Sequence, residues 1–588
     1  MTKNEFILLY AVKRYGMDTQ RKLRDITGLS LGYISQTLET FRNEKLIGDG
    51  GITAQGIKAL KPYKVDNAII MAAGMGTHFV PLTLETPKGL LTVKGEVLIE
   101  RQIRQLQEAG INNIVVVLGY KKEAFFYLEN RFEGITIIIN DEYNTRNNTH
   151  TLYLAREYMK NSYICSSDDY FEINPFEDHV YQSYYAGVRV GGKTREWYMV
   201  PDRKGNIGRI VKTGTEGTVM LGHAYWNKEL SSAMRRILEA DAEVGNYDQT
   251  VWEQILVEDL KDLPAIEIRE YPQETIFEFD TVDDLRRFDS EYVDHTNTKI
   301  MMNISKVLKC EEKDILNFRV IKEGLTNTSF VFEVFGKKYV YRHPGEGTEA
   351  IISRSHEKKA LELAKSAQID PTFIYMDETQ GWKISSYVEG VRTPDYGLFE
   401  DSKRVLSVMK KLHDKNLSVE WSFLPWEEAG KIETILRSEK GGIADTEFDE
   451  LKSSVGKCFD HCRGDGIDMC FCHCDTYAPN WMLTDDRTIL IDWEYAGNAD
   501  PGCDIGTYIM DSMWEVPEAE KFIAYYCGPD MTEQQLFHYL AYTAVLSYYW
   551  YVWALYREAC GAVMGQSLYN WRVMARRYSD HLIKEFKL

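Results

Sequence analysis

From Val65 onward the chain alternates short apolar runs with helix-patterned stretches: "NAIIMAAG", "LIERQIRQLQEAG", "NNIVVVLGY", "AFFYLENRF", "ITIIIND". Each run is too short for a helix and is uniformly apolar, the signature of a strand covered on both faces. Repeated strand and helix imply a parallel or mostly parallel sheet in an α/β nucleotide-binding architecture. The first run ends in Gly74 and Gly76, a loop through which backbone N–H groups approach a phosphate. A glycine loop alone also suits a turn with no ligand. Pro87-Lys88 and the strand-helix order that follows give it weight.

This pattern fills about 65–290 and ends in the charged stretch "DDLRRFDSEYVDHTNTK". With 588 residues the chain exceeds one core and accommodates other domains. Residues 1–64 read as three helices, a Gly-rich hairpin "IGDGGIT" and a last short helix. Ser30 is the expected N-cap of the third helix, and Leu31, Ile34, Leu38, Phe41 and Leu46 form its apolar stripe. Tyr33, Gln36 and Thr37 are its expected outer face. Residues 291–588 read as α+β, hairpin strands first and a mostly helical remainder after.

Charge separates these segments. The chain has 69 Lys/Arg against 89 Asp/Glu, a net −20 that excludes a generally nucleic-acid-binding surface. Residues 1–63 hold 10 Lys/Arg and 6 Asp/Glu, a surplus of 4, so DNA or protein contact is assigned to this segment alone. The apolar N-terminal run is broken by Lys13-Arg14 and lacks a signal-peptide cleavage pattern, so a cytoplasmic location is expected. The ten cysteines, irregularly spaced, are expected to be reduced. "LAYTAVLSYYWYVWALY" is uncharged but slightly short for a bilayer and rich in tyrosine; it reads as a buried helix without membrane insertion.

"MCFCHCDTYAPNWM" first suggests metal ligands. Alternation along an extended chain sends Cys470, Cys472 and Cys474 to one side and His473 to the other, and "CFDHC" upstream keeps zinc as an alternative. The same stretch has H-x-D-x₄-N spacing, that of a kinase catalytic loop, with Asp492 following after a strand, a turn and a strand. Arg342 ends an upstream strand, and Glu357 lies on the next helix as its ion-pair partner.

Three resemblances follow. The order of elements in 1–64 resembles a winged helix-turn-helix. "AAGMGTHFVPLTLETPKGL" resembles the sugar-phosphate-type nucleotidyltransferase signature, with His78 in place of arginine. "NSYICSSDDYF" and "ETIFEFDTVDDLRRF" are similar to the metal-binding strings of bacterial CTP:phosphocholine cytidylyltransferases. The last segment resembles the choline kinase and aminoglycoside phosphotransferase family. Its fold is implied to be a two-lobed, protein-kinase-like domain, beside a Rossmann-like mixed sheet in the middle.

The cytidylyltransferase resemblance implies CTP contacts from Ala72, Ala73, Gly74, Met75 and Gly76, from Lys88 as catalytic cation, and from Asn147 and Thr149. It implies Mg²⁺ on Asp168 and Asp280. A quaternary ammonium offers no hydrogen-bond donor, so aromatic faces and carboxylates must hold it; Glu196, Trp197, Tyr247 and Trp252 are the candidates, although any one ring is ordinarily core. The kinase resemblance implies Asp475 as catalytic base, Mg²⁺ on Asn480 and Asp492, and ATP contacts from Asn327 within the Gly324–Ser329 loop, Arg342 and Glu357. Glu494, Tyr549, Trp550 and Trp553 are assigned to choline, and Asp504 to support of the catalytic loop. Choline, ATP, phosphocholine and CTP are the implied small-molecule partners, with ethanolamine or an aminoalkylphosphonate as alternatives. A choline-metabolite-sensing regulator is the non-enzymatic alternative. Oligomeric state is not legible.

Overall fold

The computed structural model describes residues 1–588 apart from 18, 192–195, 215, 295, 297, 324–326 and 345–352. Two compact units, Met1–Phe318 and Arg319–Leu588, divide the chain. Among the described residues no helix is long and apolar enough to cross a membrane.

The first unit opens with the helices Lys3–Tyr15, Gln20–Thr27 and Leu31–Asn43. Thr2, Thr19 and Ser30 cap them, each hydroxyl accepting from a first-turn backbone N–H. The paired strands Ile47–Gly48 and Gly51–Ile52 and the helix Ala54–Leu60 complete the segment. Ile34, Leu38, Phe41 and Leu46 are buried as expected. Two positions differ: Leu31 is exposed and Thr37 is buried. Thr37 lies one residue before Leu38 and three after Ile34, so helical phase turns it toward the apolar stripe.

The nucleotide-type domain follows. Asn67–Ala72 pairs in parallel with Ile114–Leu118 and with Ser162–Ser166, and Ile114–Leu118 pairs in parallel with Ile135–Ile139. Side chains of the central strands divide between two apolar clusters: Ile70 and Val116 in one, Ile69 and Val115 in the other. That double burial is why the runs are continuously apolar. The sheet is more mixed than the alternation suggests, because Glu216–Trp226 adds antiparallel to Ser162–Ser166 and to Tyr184–Gly191. Here the chain returns through hairpins instead of helices, and an antiparallel partner needs no crossover.

The second unit's smaller part is a five-stranded sheet in the order Ile315–Glu323, Asn327–Val334, Lys337–Pro344, Lys383–Ser386, Phe373–Met376. The helix Arg354–Ser366 follows the third strand. The larger part is helical, centred on the 27-residue helix Glu533–Ala559. Leu540–Tyr556 lies inside it, and most of that stretch is buried in the largest cluster, so its missing charge reflects a protein core.

Ile69 on the central strand has no exposed surface. Replacing it with alanine should destabilise the first unit by about 2–5 kcal/mol, seen as a lower urea midpoint by circular dichroism.

Candidate functional site

Two clefts, one in each unit, collect carboxylates around a buried cation. In the first unit Asn67–Ala72 delivers Ala73 and Gly74 into a loop. Gly76 has φ +62°, and a Cβ there would lie 3.0 Å from Thr83 and 3.4 Å from the Lys88 side chain. Only glycine suits that conformation and that approach. Lys88 Nζ lies 2.5 Å from Asp168 Oδ2. Burial pushes the Asp168 carboxyl up, but Lys88 outweighs it and holds it below the ordinary range.

Asp169, the next residue, is 2% exposed, and neither carboxylate oxygen has a hydrogen-bond partner. Burial, with Glu278 and Asp168 nearby, drives its proton affinity strongly upward. Two unpartnered buried oxygens beside a lysine-bound carboxylate suit a hard divalent cation, which takes oxygen donors. Asp280 is exposed, two residues beyond Glu278, and the charges of both act on Lys88. His78 is exposed.

Beside this cluster a cavity of about 250 Å³ is lined by Glu196, Trp197, Tyr185, Trp252, Glu253 and Glu278, with Asp169 at its floor. The Lys212 ammonium stands 4.8 Å from the Trp197 ring centroid, so this face already receives a cation. Trp252 is 2% exposed and stacks on Tyr185 at 5.7 Å. Tyr247 does not line the cavity; its hydroxyl donates toward Glu258 and Asp259 at 3.1 and 3.0 Å. Thr149 is buried and its hydroxyl donates to Thr250 O at 2.7 Å, while Asn147 caps the helix Asn148–Leu154 and is exposed. Glu253 and Tyr185 have no motif of their own in the sequence, whereas Asp169 lies in the quoted string "NSYICSSDDYF", directly after the Asp168 singled out there.

In the second unit Arg342, on the strand Lys337–Pro344, is the hub. It donates to Asp492 Oδ1 at 2.5 Å and to Glu357, and lies 3.7 Å from Glu494. Lys383 faces Arg342 across the sheet and reaches the same acids, 3.0 Å from Asp492 and 3.3 Å from Glu357. Carboxylate oxygens of Glu357, Asp492 and Glu494 lie within 4.8 Å of one another. This all-oxygen set again fits a hard divalent cation. Asp492 has φ +71° and Cys474 has φ +67°, left-handed conformations at non-glycine positions that the surrounding bonds must hold. The side chain of Asn327 and residues 324–326 lie outside the described residues, although the Asn327 backbone pairs with Pro344.

Asp504 organises the catalytic-type loop. Its carboxylate accepts from Cys474 N at 2.6 Å and His473 N at 3.2 Å, and pairs with His413 Nε2 at 2.9 Å. Burial lowers the proton affinity of His473. The neutral ring donates from Nε2 to Ile491 O at 2.9 Å and accepts on Nδ1 from Asp475 N at 3.2 Å. Asn480 donates to Asp475 Oδ2 at 3.0 Å. Burial, then Glu494 and Asp492, hold the Asp475 carboxyl well above its ordinary range.

Asp475 and Glu494 line a cavity of about 470 Å³ walled by Tyr495, Trp550, Trp553 and Trp571. Trp550 meets the other three at centroid distances of 5.3, 5.5 and 5.9 Å. Tyr549 does not line this cavity; it packs edge-on against Trp550 at 5.1 Å and against Phe423 at 5.2 Å. Cys472 and Cys474 are fully buried and all ten cysteines are free. Cys470, Cys472 and His413 bring ligand atoms within 4.8 Å, but both ring nitrogens of His413 are engaged, by Asp504 and by Tyr526 at 2.7 Å.

Residues 67–188 match the nucleotidyl transferase family and 318–546 match the choline/ethanolamine kinase family. Over 222 residues the chain is 32% identical to the choline-phosphate cytidylyltransferase of Streptococcus pneumoniae, covering 38% of this chain and 96% of that protein. It is 34% identical over 234 residues to the 2-aminoethylphosphonate cytidylyltransferase of Lancefieldella rimae, covering 39% and 93%. A solved structure of the choline kinase LicA from Streptococcus pneumoniae is similar at 24% identity, covering 48% and 98%, with a TM-score of 0.42. The chain belongs to the cytidylyltransferase group of nucleotidyl transferases and carries a choline kinase domain after it; it is a transferase with both domains in one polypeptide.

Glu253 is pushed up to about 7 by burial, against an ordinary 4.5. The folded protein therefore holds a proton there that the unfolded chain releases, so this contribution is full below about pH 4.5 and lost as pH rises through 7. Glu253→Gln should remove that decline, and the urea midpoint of the parent should fall relative to the variant across this range. A constant difference between the two would contradict the assignment.

Proposed function

We propose that the chain makes CDP-choline in two consecutive steps: phosphorylation of choline by ATP in the C-terminal domain, then transfer of CMP from CTP to phosphocholine in the middle domain. The observation that carries this reading is that each cleft sets aromatic faces and carboxylates beside a cation-bridged acidic cluster. The first pair suits an organic ammonium, and the second suits nucleotide phosphates with Mg²⁺.

In the kinase cleft, Asp475 accepts the choline hydroxyl proton. Burial, with Glu494 and Asp492 nearby, keeps that proton affinity high; a trimethylammonium among Tyr495, Trp550, Trp553 and Trp571, close to Glu494, adds positive charge and makes Asp475 a carboxylate when substrate is present. Arg342 and Lys383 neutralise ATP phosphate charge, and Glu357 fixes both cations. Asn480 and Asp492 would hold Mg²⁺, which supplies charge neutralisation at the phosphates.

In the middle domain the Ala72–Gly76 loop and Lys88 bind the CTP triphosphate; Asp168 and Asp280 would hold Mg²⁺, which supplies charge neutralisation at the phosphates. Phosphocholine attacks the α-phosphorus and pyrophosphate leaves. Trp197 and Trp252 receive the ammonium with Glu196. Asp169, Glu196, Glu253 and Glu278 around one small cavity also favour a primary ammonium, whose N–H groups need acceptors. An ethanolamine or aminoalkylphosphonate substrate is therefore the second reading for this domain.

The chain divides functionally at 1–64, 65–290 and 291–588, in a cytoplasmic protein. Residues 1–64 are read as a winged helix-turn-helix that contacts DNA or protein.

Asp475→Ala should abolish product from choline but make CDP-choline when phosphocholine is added, whereas Asp168→Ala should accumulate phosphocholine. Lys383→Met should raise the KM for ATP at least tenfold and leave cytidylyl transfer unchanged. Ethanolamine turnover exceeding choline turnover in both half-reactions would replace the first reading by the second.

A further inference from the structure

A cleft of about 400 Å³ lies between the helix Lys3–Tyr15 and the nucleotidyl transferase sheet, both within the first unit. The N-terminal segment is fastened around it. Lys3 pairs with Glu267 at 2.5 Å, and the Tyr10 hydroxyl donates to Asp178 at 2.7 Å. Behind these contacts Phe6 packs against Tyr63 and Tyr181, at 4.9 and 5.6 Å between ring centroids. The volume falls in the range of small-molecule sites, about 300–1,000 Å³.

The lining joins two kinds of recognition. Phe6, Tyr10 and Tyr181 offer rings, which suit an organic cation, and the ion-paired carboxylates of Glu177 and Glu267 lie beside them. Lys3, Arg14 and Arg269 offer positive charge. Two of these cations are matched, Lys3 by Glu267 and Arg269 by Glu177 at 2.8 Å. The lining holds three cations against two carboxylates; Arg14 is exposed and makes no ion pair with a described residue, although the Tyr10 side chain, the Glu177 charge and the Tyr15 ring all act on it. An anionic group answers Arg14, while an ammonium answers the rings.

The sheet separates the cleft from the cytidylyltransferase pocket, and one strand serves both sides. The Arg269 guanidinium lies 3.7 Å from the centroid of Tyr184, and the next residue, Tyr185, lines that pocket and donates to Glu253 at 3.2 Å.

We propose that this cleft is a binding site for a small zwitterion of the alkylammonium phosphate class, distinct from both catalytic clefts. The ligand class rests on the functional reading above; the site itself rests on the cleft and its charges. Its position makes the N-terminal segment a holder of the chain's own class of metabolite beside the cytidylyltransferase domain.

The test is equilibrium dialysis of the full chain with radiolabelled phosphocholine, without nucleotides. Arg14→Glu should bind one equivalent fewer than the parent, or bind it at least tenfold more weakly, with an unchanged melting temperature. Tyr181→Leu should weaken the same equivalent. Equal stoichiometry and affinity in parent and Arg14→Glu would overturn the site. Unlabelled inorganic phosphate competing for that equivalent as well as phosphocholine does would overturn the zwitterion assignment. CDP-choline synthesis from choline by the parent is assayed separately; its absence would remove the functional reading and leave the equivalent count to decide the site.

Discussion

The bridge from Arg342 to Glu357 and Asp492 is the interaction on which the kinase-type cleft depends. Four carboxylates, Glu357, Asp475, Asp492 and Glu494, are concentrated there, and isolated carboxylates in such a setting give up their charge by taking protons. One guanidinium with a forked donor set reaches two of them and approaches a third, as a lysine at that position would not. Lys383 adds a second positive charge from the neighbouring strand. The result is two positive charges set against Glu357 and Asp492, beside Asp475 and Glu494, whose proton affinities burial and their acidic neighbours raise. Lys88 on Asp168 serves the same end in the first unit.

Both clefts take their geometry from backbone features that precede any ligand. In the first unit a parallel strand ends in a loop whose left-handed Gly76 lets Lys88 close over it. In the second, Asp504 holds two successive N–H groups of the loop while His473, neutral between Ile491 O and Asp475 N, fixes the loop from inside. The left-handed turns at Cys474 and Asp492 are maintained by these bonds. Removal of Asp504 would expose two buried donors at once, which explains why an acid far from any substrate belongs with the site.

Much of this was legible in the residues. Apolar runs bounded by glycine mark the sheet, and H-x-D-x₄-N with a downstream aspartate marks the loop, because both are local in sequence. What escaped is nonlocal. Lys383 meets Arg342 only through strand register, and Trp571 joins Trp550 from a separate helix. Tyr549 adjoins Trp550 in sequence, but adjacent helical residues point about 100° apart, while Trp550 and Trp553, three apart, share a face. Helical phase likewise turns Thr37 inward. Glu253 carries no spacing signature, and Asp169, next to Asp168 in "NSYICSSDDYF", is told from it only by its burial and unpartnered oxygens, which are properties of the folded sheet. The cysteines that dominate one stretch by eye are free thiols, mostly buried, and the informative residues lie between them.

The account stands most directly on a single time course: ³¹P NMR of the full chain with choline, ATP, CTP and Mg²⁺. Phosphocholine should rise and then fall as CDP-choline and pyrophosphate appear in equal amounts. Failure to form phosphocholine, or its accumulation while CTP stays intact, would contradict the assignment of two consecutive transfers to this chain.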